Sequence, residues 1–263
     1  MSAELDLARV RQVGVTAARA AGELLESRVD SIQEIRHKGV VDLVTDVDVA
    51  SEKLVCGTLR DAFPTHTILG EEGGAIAGSE PGYRWLVDPL DGTTNYTHGF
   101  PLFCVSIGFE VDGQLVFGAV YAPCQDELFV AERGRGATLN GRAIHVSDVT
   151  ELRQALVATG FPYDRAALPR ALRSFEVMSF ASQAVRRVGS AALDLCYVAC
   201  GRLDAYWEHQ VKAWDLAAGA LIVLEASGQL SATDGSAFSV DAGQVLSSNR
   251  RLHPLLVEAL AGI

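Results

Sequence analysis

The chain has 263 residues, 49% of them hydrophobic, so it suits one large or two small domains with an ample core. Its formal net charge of −11 and its lack of a basic stripe argue against nucleic acid or an anionic membrane as the main ligand. We expect no signal peptide and no membrane span, because the first residues are not basic and the longest apolar stretch, 216–224, is short. Five cysteines without a Cys-x-x-Cys pair indicate the buried thiols of a cytoplasmic protein.

The first half of the chain, residues 1–149, is predicted to contain two helices followed by a run of antiparallel strands. Apolar residues at helical spacing predict the first helix over 5–28. An extended arm over 30–41 leads to a second helix, which we expect to begin at Asp42 and to end near Ala62, before a Phe-Pro step. The strands of this half are predicted over 67–69, 85–87, 103–111, 114–121 and 127–132, with turns at Asp112-Gly113 and Asn140-Gly141.

The second half, residues 150–263, is predicted to alternate short apolar strands with helices. Its strands are expected over 155–159, 203–208 and 245–248, and its helices over 166–181, 190–199, 214–225 and 252–260. The sequence therefore predicts an α+β N-terminal half that carries metal-binding loops and an α/β C-terminal half that carries substrate-binding elements.

The most informative stretch is Asp88-Pro89-Leu90-Asp91-Gly92-Thr93, which directly follows a buried strand. Pro89 stiffens the backbone and Gly92 permits a sharp bend, so we expect a tight turn here and a helix that starts at Thr93. Two carboxylates beside the N–H groups of a helix start suit Mg²⁺ together with a phosphate. An ordinary aspartate-rich turn with a helix cap is the alternative explanation.

Other acids stand at the ends of predicted elements, where each also has an ordinary explanation. Asp42 and Asp46, near the start of the second helix, complement the helix dipole. Glu71 and Glu72 lie in a glycine-rich loop, where acids are usually just solvated. Asp215 precedes an apolar run and is a candidate N-cap.

These segments together carry a resemblance to a known family. The Asp88–Thr93 stretch, the Gly70-Glu71-Glu72 loop and the Trp214-Asp215 pair resemble the signature of the inositol monophosphatase family of Mg²⁺-dependent, lithium-sensitive phosphatases. The similarity extends from about Lys38 to Asn249. It implies a layered αβαβα sugar-phosphatase fold, a homodimer and inhibition by Li⁺ at the second metal position.

The resemblance also implies a set of metal ligands. Glu71, Asp88 and the carbonyl of Leu90 would hold one Mg²⁺. Asp88, Asp91 and Asp215 would hold a second, and Glu71 a weaker third. Four acids in one cleft repel each other, so metal affinity should fall as the pH drops and the acids protonate.

Catalytic roles follow from the same resemblance. Glu71, the Thr93 hydroxyl and the first metal would position and deprotonate the attacking water, and Asp48 would orient Thr93. The second metal would neutralise charge on the leaving alkoxide. The N–H groups of Gly92 and Thr93 would hold the phosphate. Lys38 is placed near the active site.

Substrate contacts are implied for Asp91, for the loop Gly189-Ser190-Ala191 and for Glu208. Glu208 precedes Asp215 by seven residues, the spacing of the family glutamate that binds inositol hydroxyls, although a glutamate at a strand end is also often solvated. His209 and Lys212 are expected at the surface.

The resulting prediction is a Mg²⁺-dependent phosphomonoesterase, an inositol-1-monophosphatase whose best substrate is myo-inositol 1-phosphate. The first alternative keeps the chemistry but acts on another small phosphorylated polyol, sugar or nucleotide: fructose 1,6-bisphosphate, histidinol phosphate or 3′-phosphoadenosine 5′-phosphate. The second alternative is a regulatory binding protein with vestigial activity. The complete set of acids with Thr93 and Asp48 argues against that second alternative.

Overall fold

The computed structural model describes residues 6–29, 31, 34–37 and 43–263. The expectations for Lys38 and Asp42 fall outside the described residues. Within those ranges the helices are α1 Leu7–Arg28, α2 Asp46–Ala62, α3 Thr93–Thr97, α4 Leu168–Ala181, α5 Ala191–Ala199, α6 Ala213–Glu225 and α7 His253–Leu260.

The strands of the first half form a hairpin and a larger sheet. Their bounds are β1 Ile35–His37, β2 Leu43–Thr45, β3 Thr67–Gly70, β4 Gly74–Ile76, β5 Tyr83–Asp91, β6 Cys104–Val111, β7 Gln114–Ala122, β8 Glu127–Glu132, β9 Ala137–Leu139 and β10 Arg142–Ala143. The sheet order is β10-β9-β8-β7-β6-β5-β3-β4, with only the β3–β5 pair parallel. The predicted hairpin at Asp112-Gly113 is confirmed, because both residues have the positive φ that a tight two-residue turn needs.

The second sheet belongs to the second half. Its strands are β11 Leu156–Thr159, β12 Ala184–Arg186, β13 Ala205–His209, β14 Gln229–Ser231 and β15 Gln244–Ser248. The order is β12-β11-β13-β15-β14, in which β12, β11 and β13 are parallel and the remaining pairs are antiparallel. Helices join the parallel strands, as the alternation of apolar strands and helices predicts.

Three clusters of buried apolar side chains hold five layers together. One lies between the outer pair α1 and α2 and the first sheet. The second lies between the two sheets and surrounds α5 and α6. The third covers the far face of the second sheet with α4 and α7. The predicted αβαβα layering is confirmed, and it follows from the apolar faces that each sheet must cover on both sides.

Small residues let the middle layer approach the first sheet. A Cβ added at Gly108 or Gly118 would lie within 3.0 Å of α6 atoms, at Ala217 and Ala218 respectively. Because α6 packs on strands of the first sheet, the core is continuous across the predicted boundary at residue 150. The division into 1–149 and 150–263 stays a prediction.

Four local expectations were wrong, the first being that all five cysteines are buried, because Cys124 is exposed. Residues 43–45 form a strand rather than the first turn of the second helix, which begins at Asp46 after the N-cap Thr45. No tight turn follows Val87, because β5 continues to Asp91. His209 is buried in β13, although Lys212 is exposed as expected. Among the described residues, no helical segment combines the length and the hydropathy that a bilayer crossing requires.

Candidate active site

A cleft between the two sheets collects the residues that the sequence singled out. It encloses about 290 Å³. Ten predicted site residues, drawn from four separate segments, line it: Glu71, Asp88, Leu90, Asp91, Gly92, Thr93, Gly189, Ser190, Ala191 and Glu208. Asp215, from α6, lines it as well. Asp48 lies behind this wall, fully buried, and reaches the cleft through Thr93.

A bulge in β5 brings two aspartates to the same side. Asp88 pairs with Ser106 and Asp91 with Cys104, so three steps along β5 oppose two along β6. In a regular strand, residues three apart point to opposite faces. The extra residue reverses this alternation, so that both carboxylates line the cleft.

Leu90 divides its roles between side chain and backbone within this bulge. Its side chain is buried in the cluster beneath α2, and its N–H donates to Asp88 Oδ1 at 3.0 Å. Its carbonyl oxygen lies 3.1 Å from the Thr93 hydroxyl oxygen. The carbonyl is therefore directed toward the site, as the resemblance implies for a metal ligand.

The chain turns from the bulge into α3 at Gly92. Gly92 has φ of 96°, a left-handed conformation that side chains disfavour, and an added Cβ would lie 3.0 Å from the Leu102 carbonyl. The helix then begins at Thr93 as predicted. Asn95 ties this turn to the second half, because its amide donates to the carbonyls of Leu102 and Val188.

Residues in the first turns of α2 form hydrogen bonds with the β5 bulge and with Thr93. Asp48 Oδ2 accepts from the N–H and the hydroxyl of Thr45, and its Oδ1 accepts from the Thr93 hydroxyl at 3.1 Å. Ser51 donates to the carbonyl of Pro89 at 2.8 Å. Asp48, Ser51 and Glu52 stand at helical positions i, i+3 and i+4, so they share one face of α2.

Glu52 holds the turn that carries Glu71. Its two carboxylate oxygens accept from the N–H groups of Glu72 and Gly73 at 2.7 and 2.6 Å. A Cβ added at Gly70 or Gly73 would lie 2.5 or 2.7 Å from that carboxylate. The glycine-rich loop is therefore required for the close approach of a buried acid rather than for loop freedom alone.

The starts of α5 and α6 orient two further aspartates. The Ser190 hydroxyl and the Ala192 N–H both donate to Asp91 Oδ2 at 2.7 Å. The side chain of Ser190 is thus engaged with Asp91, and its predicted contact with substrate stays a prediction. Asp215 Oδ2 accepts from the N–H of Lys212, so Asp215 stabilises the start of α6 from inside the helix rather than as its N-cap.

Burial and mutual repulsion disfavour the charged forms of these acids. The pKa of Asp88 lies well above its ordinary value, first because of burial and then because of Glu71, Asp91 and Asp215. Burial likewise raises the pKa of Asp91 to about 6 and raises the pKa of Asp215. Within the described residues, no lysine or arginine forms a salt bridge with any of the three aspartates.

The chemistry of this donor set fits a hard divalent cation. Carboxylates and the Leu90 carbonyl supply only oxygen, and Mg²⁺ is a hard cation that prefers oxygen ligands. In the described part of the chain, no three His, Cys, Asp or Glu side chains are already close enough together to hold a metal ion. The acids thus share the cleft without converging on one point.

The opposite end of the cleft is formed by the second sheet. Glu208 on β13 accepts a hydrogen bond from the Tyr206 hydroxyl at 2.5 Å, and burial raises its pKa to about 7. Gly160 is required beside it, because an added Cβ would overlap the Glu208 carboxylate. Arg187 and Asp194 also line this end, and neither was assigned a role from the sequence.

Two residues that support the site were missed for a common reason. Ser51 and Glu52 are polar residues on the core-facing side of an amphipathic helix. Polar residues at core positions are unusual and signal a buried hydrogen-bond partner. That signal was present in the sequence, but their partners lie 38 and about 20 residues away.

This chain is similar to a known protein family and to several named proteins. The family model described as "Inositol monophosphatase family" matches residues 6–263. A tomato (Solanum lycopersicum) protein named inositol monophosphatase 2 is 45% identical, over 94% of this chain and 96% of that protein. A Pseudomonas aeruginosa protein named Nus factor SuhB is 43% identical, over 94% of each chain. The solved inositol monophosphatase from Anabaena (Nostoc) superposes with a TM-score of 0.90 at 41% identity, covering 98% of each chain.

Proposed function

Since this chain belongs to the inositol monophosphatase family, we propose that it is a Mg²⁺-dependent phosphomonoesterase whose preferred substrate is myo-inositol 1-phosphate. The observation that carries the proposal is the single cleft lined by Glu71, Asp88, Asp91 and Asp215 beside the Thr93–Asp48 hydrogen bond. An oxygen-only cluster next to an oriented hydroxyl suits hydrolysis of a phosphate ester.

Two sets of oxygen ligands would hold the metal ions. Glu71, Asp88 and the Leu90 carbonyl form the first, and Asp88, Asp91 and Asp215 form the second. When bound, Mg²⁺ would lower the pKa of the attacking water and neutralise charge that develops on the phosphate and on the leaving oxygen. The bulge in β5 supports both sets, because Asp88 belongs to each.

Thr93 would orient the attacking water. Its hydroxyl lies 3.1 Å from Asp48 Oδ1, which is buried and acceptor-only when ionised, so the hydroxyl proton is directed away from the cleft. The hydroxyl oxygen can then accept a hydrogen bond from the attacking water, while Glu71 takes up the water's other proton as a general base. The N–H groups of Gly92 and Thr93, at the start of α3, would bind the phosphate oxygens.

Glu208 and the Gly189-Ser190-Ala191 loop would contact the leaving alcohol. Glu208 lies at the end of the cleft away from β5, and its carboxylate is fixed by Tyr206. A carboxylate there accepts hydrogen bonds from hydroxyl groups, which favours a polyol over an apolar alcohol.

A panel of small phosphates, assayed with Mg²⁺ and with a chelator, tests the function. The panel contains myo-inositol 1-phosphate, fructose 1,6-bisphosphate, histidinol phosphate, 3′-phosphoadenosine 5′-phosphate and an aryl phosphate. We expect hydrolysis only with Mg²⁺ and the highest kcat/KM for myo-inositol 1-phosphate. A higher kcat/KM for another phosphate would leave the proposed Mg²⁺-dependent hydrolysis in place and change the assigned substrate.

The regulatory alternative also has a specific observation in its favour, because one relative is named a Nus factor. The panel separates the two functions. Absence of hydrolysis of every phosphate, in a folded protein that binds Mg²⁺, would favour a regulatory binding protein and would reject the enzyme.

We also propose a homodimer, inhibition by Li⁺ and a cytoplasmic location. Large apolar side chains are exposed on α4, with Phe180 88% exposed and Leu172 49%, which favours a protein partner there. A sedimentation mass near 28.0 kDa at micromolar concentration would reject the dimer.

Li⁺ inhibition that does not change with Mg²⁺ concentration would argue against the second metal position. All five cysteines are free, which suits a reducing compartment.

A further inference from the structure

Asp194 is a buried carboxylate in the wall of the cleft that has no hydrogen-bond partner among the described residues. It lies in α5, its side chain is 1% exposed, and it lines the cleft beside Glu208. Its Oδ1 has no hydrogen-bond partner, and within the described residues its side chain forms neither a hydrogen bond nor a salt bridge. A buried polar group in that state destabilises the folded protein unless something else pairs with it.

Two other buried acids show that Asp194 is a special case. Glu110 and Glu132 each have one buried oxygen, Oε2, that forms no hydrogen bond, although Glu132 Oε2 lies 3.5 Å from Arg135 Nη1. The other oxygen of Glu110 meets Arg84 at 2.6 Å, and that of Glu132 meets Arg11 at 3.3 Å. Both acids are therefore compensated by a cation, and neither lines the cleft. Asp194 combines a missing partner with a position in the candidate active site.

The surroundings of Asp194 favour a hydrogen-bond donor as the missing partner. Burial raises the pKa of Asp194, and the negative charges of Glu208 and Asp91 raise it further, while Arg187 acts in the opposite sense without reaching salt-bridge distance. The Tyr206 hydroxyl is already engaged with Glu208. This end of the cleft thus presents two carboxylates and one guanidinium, that of Arg187, to a bound ligand.

We propose that Asp194 is a second specificity-determining residue, which accepts a hydrogen bond from a hydroxyl of the leaving alcohol beside Glu208. The inference rests on the proposed phosphatase function and concerns its substrate class. Glu208 and Asp194 together form an acceptor pair, so the cleft selects phosphates of alcohols with several hydroxyl groups. A substrate with one hydroxyl fewer leaves one of the two carboxylates unpaired.

The opposing effects of one substitution on stability and on selectivity test this role. Asp194→Asn keeps the shape but removes the buried charge. The melting temperature of the free enzyme should rise, because an uncompensated carboxylate is gone. The kcat/KM for myo-inositol 1-phosphate should fall by about tenfold to a hundredfold, mainly through KM, since a hydrogen bond to a charged acceptor is lost. The kcat/KM for an aryl phosphate should stay within about twofold.

Inhibition by the two products gives a second measurement. Asp194→Asn should weaken inhibition by myo-inositol and leave inhibition by inorganic phosphate unchanged, because Asp194 contacts only the alcohol. Glu132→Gln is the matched control, since it neutralises a buried acid outside the cleft whose Oε2 also forms no hydrogen bond. It should leave both substrates and both inhibitors unaffected.

Several outcomes would overturn the inference. Equal losses on inositol phosphate and aryl phosphate would assign Asp194 a structural role, and unchanged selectivity would show that its partner is not the substrate. A loss confined to histidinol phosphate would show that Asp194 pairs with a cationic alcohol instead of a polyol. A wild-type protein that hydrolyses no phosphate would reject the proposed function itself, together with this inference.

Discussion

Replacement of Glu52 by glutamine should weaken Mg²⁺ binding although Glu52 is not a proposed ligand. Glu52 uses both carboxylate oxygens to hold the N–H groups of Glu72 and Gly73, next to the proposed ligand Glu71. In Glu52→Gln one of these oxygens becomes an amide nitrogen, which is a donor and cannot accept. One backbone N–H then faces another donor, and the turn that carries Glu71 loses part of its support.

The size of the effect follows from the hydrogen bond that is lost. A hydrogen bond to a charged group contributes about 1.5–3 kcal/mol. If the whole loss falls on the metal-bound arrangement of the loop, the Mg²⁺ affinity decreases by about tenfold to a hundredfold. High Mg²⁺ should restore most of the turnover, because Glu71, Asp88 and Thr93 are all still present.

Calorimetric titration with Mg²⁺ measures the affinity directly, and the Mg²⁺ dependence of kcat gives a second value. Glu225→Gln is the matched control, because Glu225 also accepts from two backbone N–H groups, those of Gly134 and Gly136, at 2.8 Å. That turn lies outside the cleft. The control should lower the melting temperature without changing Mg²⁺ affinity.

Two results would refute the reasoning about Glu52. Unchanged Mg²⁺ affinity in Glu52→Gln would show that the loop does not need this support to bind metal. A decrease in kcat that saturating Mg²⁺ cannot restore would place the effect on the reaction itself rather than on the loop.

Three further predictions concern the site. Asp91→Asn should fold normally but lose nearly all turnover at saturating Mg²⁺, and substantial activity would reject Asp91 as a ligand of the second metal. Glu208→Gln should lower kcat/KM for myo-inositol 1-phosphate by about tenfold to a hundredfold and that for an aryl phosphate little, whereas Thr93→Ala should damage both alike. Finally, burial raises the pKa of Asp91 to about 6 and that of Glu208 to about 7, so the metal-free folded state binds protons more tightly than the unfolded state. The contribution of these two protonated acids to folding stability is present below the unfolded pKa of about 4 and is lost as the pH rises through 6 to 7. The melting temperature in a chelator should therefore fall between pH 5 and 7.5 by differential scanning calorimetry, and a flat profile would contradict it.

Residue type and spacing were enough to predict most of the elements, and the family resemblance supplied the members of the site. Helical spacing of apolar residues predicted α1, and the strand pattern placed β8 without error. Both predictions depend only on the residue pattern within one short segment. The turn residues Asp112-Gly113 predicted a hairpin for the same local reason. The acids of the cleft were recognisable because the motifs around them resemble the signature of the inositol monophosphatase family.

Only the tertiary structure decided how these residues face one another. The bulge that turns Asp88 and Asp91 to one side depends on pairing with β6, which lies more than ten residues along the chain. Ser51 and Glu52 support the bulge and the Glu71 turn through contacts with distant backbone. The sequence alone determined which oxygen ligands are available. The packing of two sheets around α5 and α6 decided which are paired and left Asp194 unpaired, because burial and hydrogen-bond partners are properties of contacts between segments.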